Sequence, residues 1–262
     1  MTARTWLPIS LAISFVFPVS TALAQKSNKN AAKVLLMCGG QRQHHGYRDQ
    51  AVFLSKLLEN TGRIEVTICE DAALLETPAL AKYDLLMITA DRRDPEFKLT
   101  GAQQQAIFDF VRGGKGYVCI HGADNMPTDL TDEQTTNWKE LMGGIYSHKG
   151  QPDGRAIVGD YTVHIADTAH PITQGLADFK LHDELYSNMQ MLPKVKPLAT
   201  IDYKGATWPV AWTSTFGKGK VFHTSLGHRG WKETDEKDPL RDSNVSKLVV
   251  QGTEWVLGRM EK

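Results

Sequence analysis

Three short runs constrain this chain most: "KVLLMC" at 33–38, "YDLLMIT" at 83–89 and "YVCI" at 117–120. Each is apolar without a break. A strand that showed one face to water would alternate; a continuous apolar run belongs to a strand covered on both faces, as in a parallel sheet between helical layers. The intervening segments carry the helical period. "GYRDQAVFLSKLLENTG" (46–62) places apolar residues at helical spacing and stops at Gly62. "LTGAQQQAIFDFVRGGKG" offers Thr100 as an N-cap, puts Ile107, Phe108 and Val111 on one face, and ends at Gly113 and Gly114. With the alternating "RIEVTIC" (63–69), the first half predicts a βαβ series: an α/β fold with a parallel sheet and helices on both faces.

The second half is less regular. Helical signals return at "TTNWKELMGG" (135–144) and from about Asn244 to Leu257. Short strand-like runs lie between them: "AIVGDYTVHIA", "PLATID", "WPVAWT" and "GKVFHTS". No repeat, low-complexity tract or linker separates the halves, so residues 33–260 are expected to form one domain with an elaborated C-terminal half of additional short strands.

The first 24 residues are expected to lie outside that fold. Arg4, the apolar stretch from about Leu7 to Val19 and the Ala22-Leu23-Ala24 pattern read as a secretory signal peptide, cleaved near Ala24. The apolar stretch is short for a membrane span, and Pro8 and Pro18 interrupt it. Residues 25–32 are expected to be a flexible tail, and the mature protein to be secreted or periplasmic. Lys plus Arg balances Asp plus Glu at 30 each, with no basic stripe, which argues against nucleic acid as a partner. No later stretch is long enough to span a bilayer. The three cysteines, Cys38, Cys69 and Cys119, read as free thiols acting as small hydrophobes, with a Cys38–Cys69 disulfide as the alternative.

Ligands of an open parallel sheet bind beyond the carboxyl ends of its strands. Polar residues gather there. The first strand is followed by His44, His45, Tyr47 and Arg48, the fourth by His121, and the late strand "KVFHTS" by His228, Arg229 and Trp231. His164 and His223 sit within strands and read as structural. In "HDELY" (182–186) Asp183 and Glu184 adjoin an aromatic; a solvated acidic turn is the ordinary explanation of such a pair. Trp208, Trp212 and Trp231 suit either a core or a sugar platform. Phosphate-loop, dinucleotide, H-E-x-x-H and G-x-S-x-G motifs are missing, which sets aside nucleotide, zincin and serine-hydrolase chemistry.

Taken together, "GGKGYVCIHGA", "WKELMGGIYSHKG", "HPITQGLADFKLHDELY", "PVAWTSTFGKGKVFHTSLGH" and a closing helix with Trp255 resemble the trehalose-utilisation, or ThuA-like, proteins from about Lys33 to Leu257. The resemblance implies a flavodoxin-like α/β sheet similar to that of class I glutamine amidotransferases. Cys119-Ile120-His121-Gly122-Ala123 lies over the amidotransferase Gly-x-Cys-x-Gly corner, so His121 takes the nucleophile's place and the chain should not be a glutaminase. The resemblance further implies carbohydrate metabolism through keto-sugar intermediates. It aligns His45 with a first-strand histidine and His148 in "YSHKG" with another, where Lys149 departs from the usual proline. Asp183, Glu184 and Tyr186 match an acidic-aromatic motif, and His228 a Gly-His pair.

Three readings follow. In the first, an enzyme acts on a disaccharide or keto-sugar glycoside, with His121 as acid or base, His228 or His148 as its partner, and Glu184 or Asp183 orienting a histidine or binding hydroxyls. His45, Asp183, Tyr186, Arg229 and Trp231 would then bind the sugar. In the second, the same cleft is a non-catalytic sugar-binding module. In the third, His45, His121, His228 and a carboxylate hold a divalent metal in a hydrolase or isomerase, although no local spacing enforces metal ligation. All three take a small-molecule carbohydrate as partner.

Overall fold

The computed structural model describes residues 30–40, 45–92, 97–127, 129–146, 156–187, 189–230 and 232–260. The first half runs β1 (Ala32–Gly39), α1 (Tyr47–Glu59), β2 (Ile64–Cys69), β3 (Leu85–Ala90), α2 (Gly101–Arg112) and β4 (Gly116–Ile120). The second half adds α3 (Asp132–Met142), β5 (Gly144–Ile145), β6 (Ala156–Ile165), β7 (Phe179–Tyr186), β8 (Gln190–Met191), β9 (Pro197–Tyr203), β10 (Ala206–Phe216), β11 (Gly219–Thr224) and α4 (Ser243–Val256). The expected signal peptide lies outside the described residues. Strand β1 begins at Ala32, inside the segment expected to be a tail.

Nine strands form one sheet in the order β2-β1-β3-β4-β11-β10-β9-β6-β7. The first five are mutually parallel, and their order is that of a flavodoxin-like sheet. The continuous apolar runs are buried as their composition requires: all six residues of β3 and all five of β4 are inaccessible to solvent. Successive side chains point to opposite faces. Leu36 therefore packs in a core with Ala51 and Leu54 of α1 and Leu248 and Val249 of α4. Leu35 packs on the other side with Ile107 and Phe108 of α2 and Trp138 of α3. Each such side chain contributes about 1.5–3 kcal/mol relative to its exposed state. Thr100 with Gln103, and Thr131 with Gln134, form capping boxes at the starts of α2 and α3. The second box starts α3 three residues before the apolar period signals it.

The remaining four strands are the additional strands expected of the C-terminal half. Strands β10, β9, β6 and β7 extend the sheet in antiparallel fashion. The acidic run at 182–186, which composition alone makes a solvated turn, instead lies in edge strand β7. In a flat sheet β7 would sit about 19 Å from β11, four strand spacings away. Yet Asp183 of β7 accepts a 2.8 Å hydrogen bond from the Gly227 N–H just beyond β11. The extension therefore curls back over the carboxyl end of the parallel strands. Register shifts in β10 at Pro209, Ala211 and Trp212 supply the bend. No helix among the described residues is long and apolar enough to cross a membrane. Cys38, Cys69 and Cys119 are all free thiols.

Candidate functional site

Three loops at the carboxyl ends of parallel strands, together with the curled edge strand, bring the chemistry together. His121 ends β4 and opens a short 3-10 turn, His121–Asp124. Its φ of 45° places a bulky residue in the left-handed region, a conformation that persists only where the surroundings impose it. The next residue must be glycine: a β-carbon at Gly122 would lie 2.3 Å from the Tyr47 hydroxyl. The turn's last residue, Asp124, meets His223 of β11 at 3.3 Å with both side chains fully buried. His223 also stacks on Trp212 at 3.8 Å, which makes both core residues. Burial pushes the His223 pKa down, against the opposing pull of Asp124.

His45 follows β1 and is buried. Its ring lies 5.3 Å from that of His121 and 4.7 Å from that of His228. Arg229 fixes the two loops against each other. Its carbonyl accepts from the Gly46 N–H, and its guanidinium pairs with Asp49 of α1 at 3.1 Å and with Asp235 at 3.0 Å. Arg229, expected to bind sugar, meets these carboxylates and joins the His45 loop to the segment after β11.

His228 is placed by Asp183. The buried carboxylate accepts from the backbone N–H groups of Gly227, His228 and Glu184. Desolvation raises its pKa to about 6, and those hydrogen bonds with the neighbouring His121 restrain the rise. Asp183, expected to orient a histidine or to bind hydroxyls, holds the backbone at His228 through these amides.

Glu184 and Tyr186, on the alternate face of β7, reach His121. Glu184 Oε2 lies 3.4 Å from His121 Nε2 and 3.2 Å from His228 Nδ1. Those two nitrogens are 3.2 Å apart. The Tyr186 hydroxyl is 3.1 Å from His121 Nε2 and accepts from the Asn125 amide. Its ring stacks between those of His121 and Tyr146, at 4.9 and 4.6 Å. Burial opposes charge on both groups, but the His121 and His228 contacts hold Glu184 well below the usual carboxylate range. Burial likewise opposes the His121 cation, and the Glu184 hydrogen bond and charge outweigh it, raising its pKa to about 9.

The donor set suits a divalent cation. One nitrogen from each of His45, His121 and His228 lies within 4.8 Å of the others. The Ser225 carbonyl, 2.7 Å from His121 Nδ1, can only accept, so Nδ1 carries the proton. Neutral His121 then presents the Nε2 lone pair to the cluster, the arrangement that outer-shell carbonyls impose on metal-bound histidines. Imidazole donors favour zinc, iron, copper or nickel over magnesium or calcium.

Of the residues expected in the site, His45, His121, Asp183, Glu184, Tyr186, His228 and Arg229 converge there. His148, Trp231 and His44 lie outside the described residues. Ser225, Asn125 and Tyr146 were not foreseen. Ser225 acts through its carbonyl, which no sequence motif marks; the other two meet the cluster through Tyr186, Asn125 by its hydrogen bond and Tyr146 by its ring, and an isolated bridge joins them to each other. Cys119 is fully buried, and desolvation holds its thiol well above the ordinary range. Such burial disfavours the reactive thiolate.

The trehalose-utilisation family model, ThuA, matches residues 33–256. The chain belongs to the ThuA family. Comparison with curated proteins gives no match. Among solved structures, a ThuA-like protein from Parabacteroides merdae is 22% identical with a TM-score of 0.69, over 88% of this chain and 92% of that one. A ThuA-like protein from Bacteroides uniformis is 19% identical with a TM-score of 0.66, over 89% of this chain and 95% of that one. A β-galactosidase from Rahnella sp. R3 is 14% identical with a TM-score of 0.59, over 86% of this chain but only 31% of that one. At these identities the likeness is one of fold.

Proposed function

We propose that this ThuA-family chain is a metal-dependent enzyme of carbohydrate metabolism that moves a proton beside a sugar carbonyl, as a hydrolase or isomerase of keto-sugars requires. The observation that carries the reading is the convergence of His45, His121 and His228 within 4.8 Å, with the Glu184 carboxylate against two of them. An exported location, expected from the N-terminal segment, is part of the same proposal.

His45, His121 and His228 would hold the cation. When bound, it supplies Lewis acidity toward a carbonyl oxygen and stabilises the charge that develops there. The chain's own residues do the rest. Ser225 fixes the His121 tautomer, and Asp183 fixes the His228 loop. Glu184, ionised and 14% exposed, accepts the proton from the carbon beside the carbonyl. Tyr186, buried against His121, closes one side of the site to water.

The reading in which His121 is itself a free acid or base is weaker, because its only lone pair faces three other polar groups. The test is incubation of the zinc-loaded chain in D2O with neutral disaccharides and their keto forms, read by mass spectrometry. Deuterium uptake or conversion confined to the keto forms, and abolished by a chelator, supports the proposal. Conversion that persists after complete metal removal overturns its metal dependence. Sugar binding with neither exchange nor conversion identifies a binding module instead.

A further inference from the structure

Three polar side chains are buried beneath the histidine cluster, in the layer between the sheet and α3. Asp124 and His223 are fully buried, and Arg92 is 2% exposed. His223 pairs in register with Cys119, which packs in the core that contains Trp138 of α3. Arg92 lies 4.1 Å over the Trp138 ring. Packing alone does not call for these groups, because a buried charge is costly unless an opposing charge meets it. Asp124 closes the turn that His121 opens. Its carboxylate meets His223 Nε2 at 3.3 Å. His223 is itself fixed: its ring stacks on Trp212 at 3.8 Å and 13°, and the Trp212 indole N–H donates to the Met142 carbonyl of α3 at 2.7 Å. The Asp124 side chain therefore ties the turn to β11, β10 and α3 together. Arg92 supplies the opposing charge, since it and Asp124 act electrostatically on the same two neighbours, Tyr117 and His223.

We propose that Asp124 is the positioning residue of His121: held by His223 and offset by Arg92, it imposes the left-handed backbone that aims the His121 imidazole at the cluster. The inference rests on the reading of that cluster as a metal centre. Two groups of the site ride on the anchored turn. His121 opens it with a φ of 45°, and Asn125, the residue after it, donates to the Tyr186 hydroxyl at 3.2 Å. The Ser225 carbonyl orients the His121 ring. A second anchor, three residues along, keeps the turn from relaxing to an ordinary backbone, which a strained residue does unless its surroundings hold it. Asp124 thus acts through the backbone, as Asp183 does for His228 on the other side of the cluster.

Two variants and a control test the proposal. Asp124→Asn keeps the volume and removes the charge, and His223→Phe keeps a ring against Trp212 and removes the contact with the carboxylate. Ile107→Ala, in the same core layer but on α2, is the control for lost stability. Zinc affinity should fall by about tenfold in Asp124→Asn and in His223→Phe, as for other outer-shell partners. The double variant should fall no further than the weaker single one, because both sever the same contact. Ile107→Ala should bind zinc like wild type in spite of its lower melting temperature. A second measurement needs no metal. In a chelator, the His121 Nδ1 proton donated to Ser225 should give a slowly exchanging imidazole resonance, absent from His121→Gln. Asp124→Asn and His223→Phe should lose that protection, and Ile107→Ala should keep it. The proposal is overturned if wild type shows no such protected proton, if folded Asp124→Asn keeps the wild-type exchange rate or zinc affinity, or if Ile107→Ala moves both as far. Should one of the two variants not fold, the other decides. A wild type that takes up no zinc removes the reading of the cluster instead, and the exchange measurement alone then judges Asp124.

Discussion

His121 Nε2 and His228 Nδ1 lie 3.2 Å apart although 107 residues separate them in sequence. Two imidazole nitrogens at that distance must share a proton or a cation, because two lone pairs facing each other repel. Glu184 Oε2 sits against both. Without metal, a proton on His121 satisfies the arrangement; with metal, the cation takes its place.

Asp183 holds one side of this pair, and Asp183→Asn tests how. An amide has one acceptor oxygen in place of two, so at least one of the three backbone N–H groups now bound loses its partner. Stability should fall by about 1–3 kcal/mol, the cost of an unsatisfied buried donor. Metal affinity should fall by about 10–100-fold, as for other outer-shell partners. Denaturant unfolding and zinc titration measure the two effects. A variant that loses stability but binds zinc like wild type would confine Asp183 to a structural role.

The metal-free chain should lose stability above neutral pH. His121 is raised to about 9, against roughly 6.5 in an unfolded chain. The folded state therefore binds this proton more tightly. The resulting stabilisation is complete below about pH 6.5 and disappears as pH rises through about 9. Melting temperature followed from pH 6.5 to 9.5 in a chelator should fall, and His121→Gln should flatten the slope. Zinc affinity should move the opposite way over that window, since metal displaces the proton. A metal-free chain whose stability rises with pH there would contradict the assigned contacts.

Cys119→Ala should cost roughly 1–2 kcal/mol through lost packing and leave turnover within a few-fold. Enzymatic assay of the folded variant decides. Complete loss of activity would place the reactive group two residues earlier than the geometry does.

The parallel half was legible because strands buried on both faces have to be apolar throughout, as β3 is. The position of His121 followed from the same logic, since the run it ends can continue no further into the core. Strand β7 was not legible. Adjacent carboxylates such as Asp183 and Glu184 ordinarily seek water, and only the curl of the sheet gives them backbone amides and imidazoles as partners. The register shifts in β10 begin at Pro209, and a proline inside a strand marks a bulge without saying where the strands beyond it come to lie. The ion pairs of Arg229 were not legible for a related reason: Asp49 and Asp235 lie on other segments.

Metal content per chain tests the central claim most directly. Wild type and the His45→Ala, His121→Ala and His228→Ala variants would each be loaded with zinc, dialysed and analysed by elemental mass spectrometry. The account predicts one tightly held ion per wild-type chain and substoichiometric, weakly held metal in each variant that remains folded. A wild type that retains no divalent ion, or a folded His121→Ala chain that retains it fully, would contradict the account.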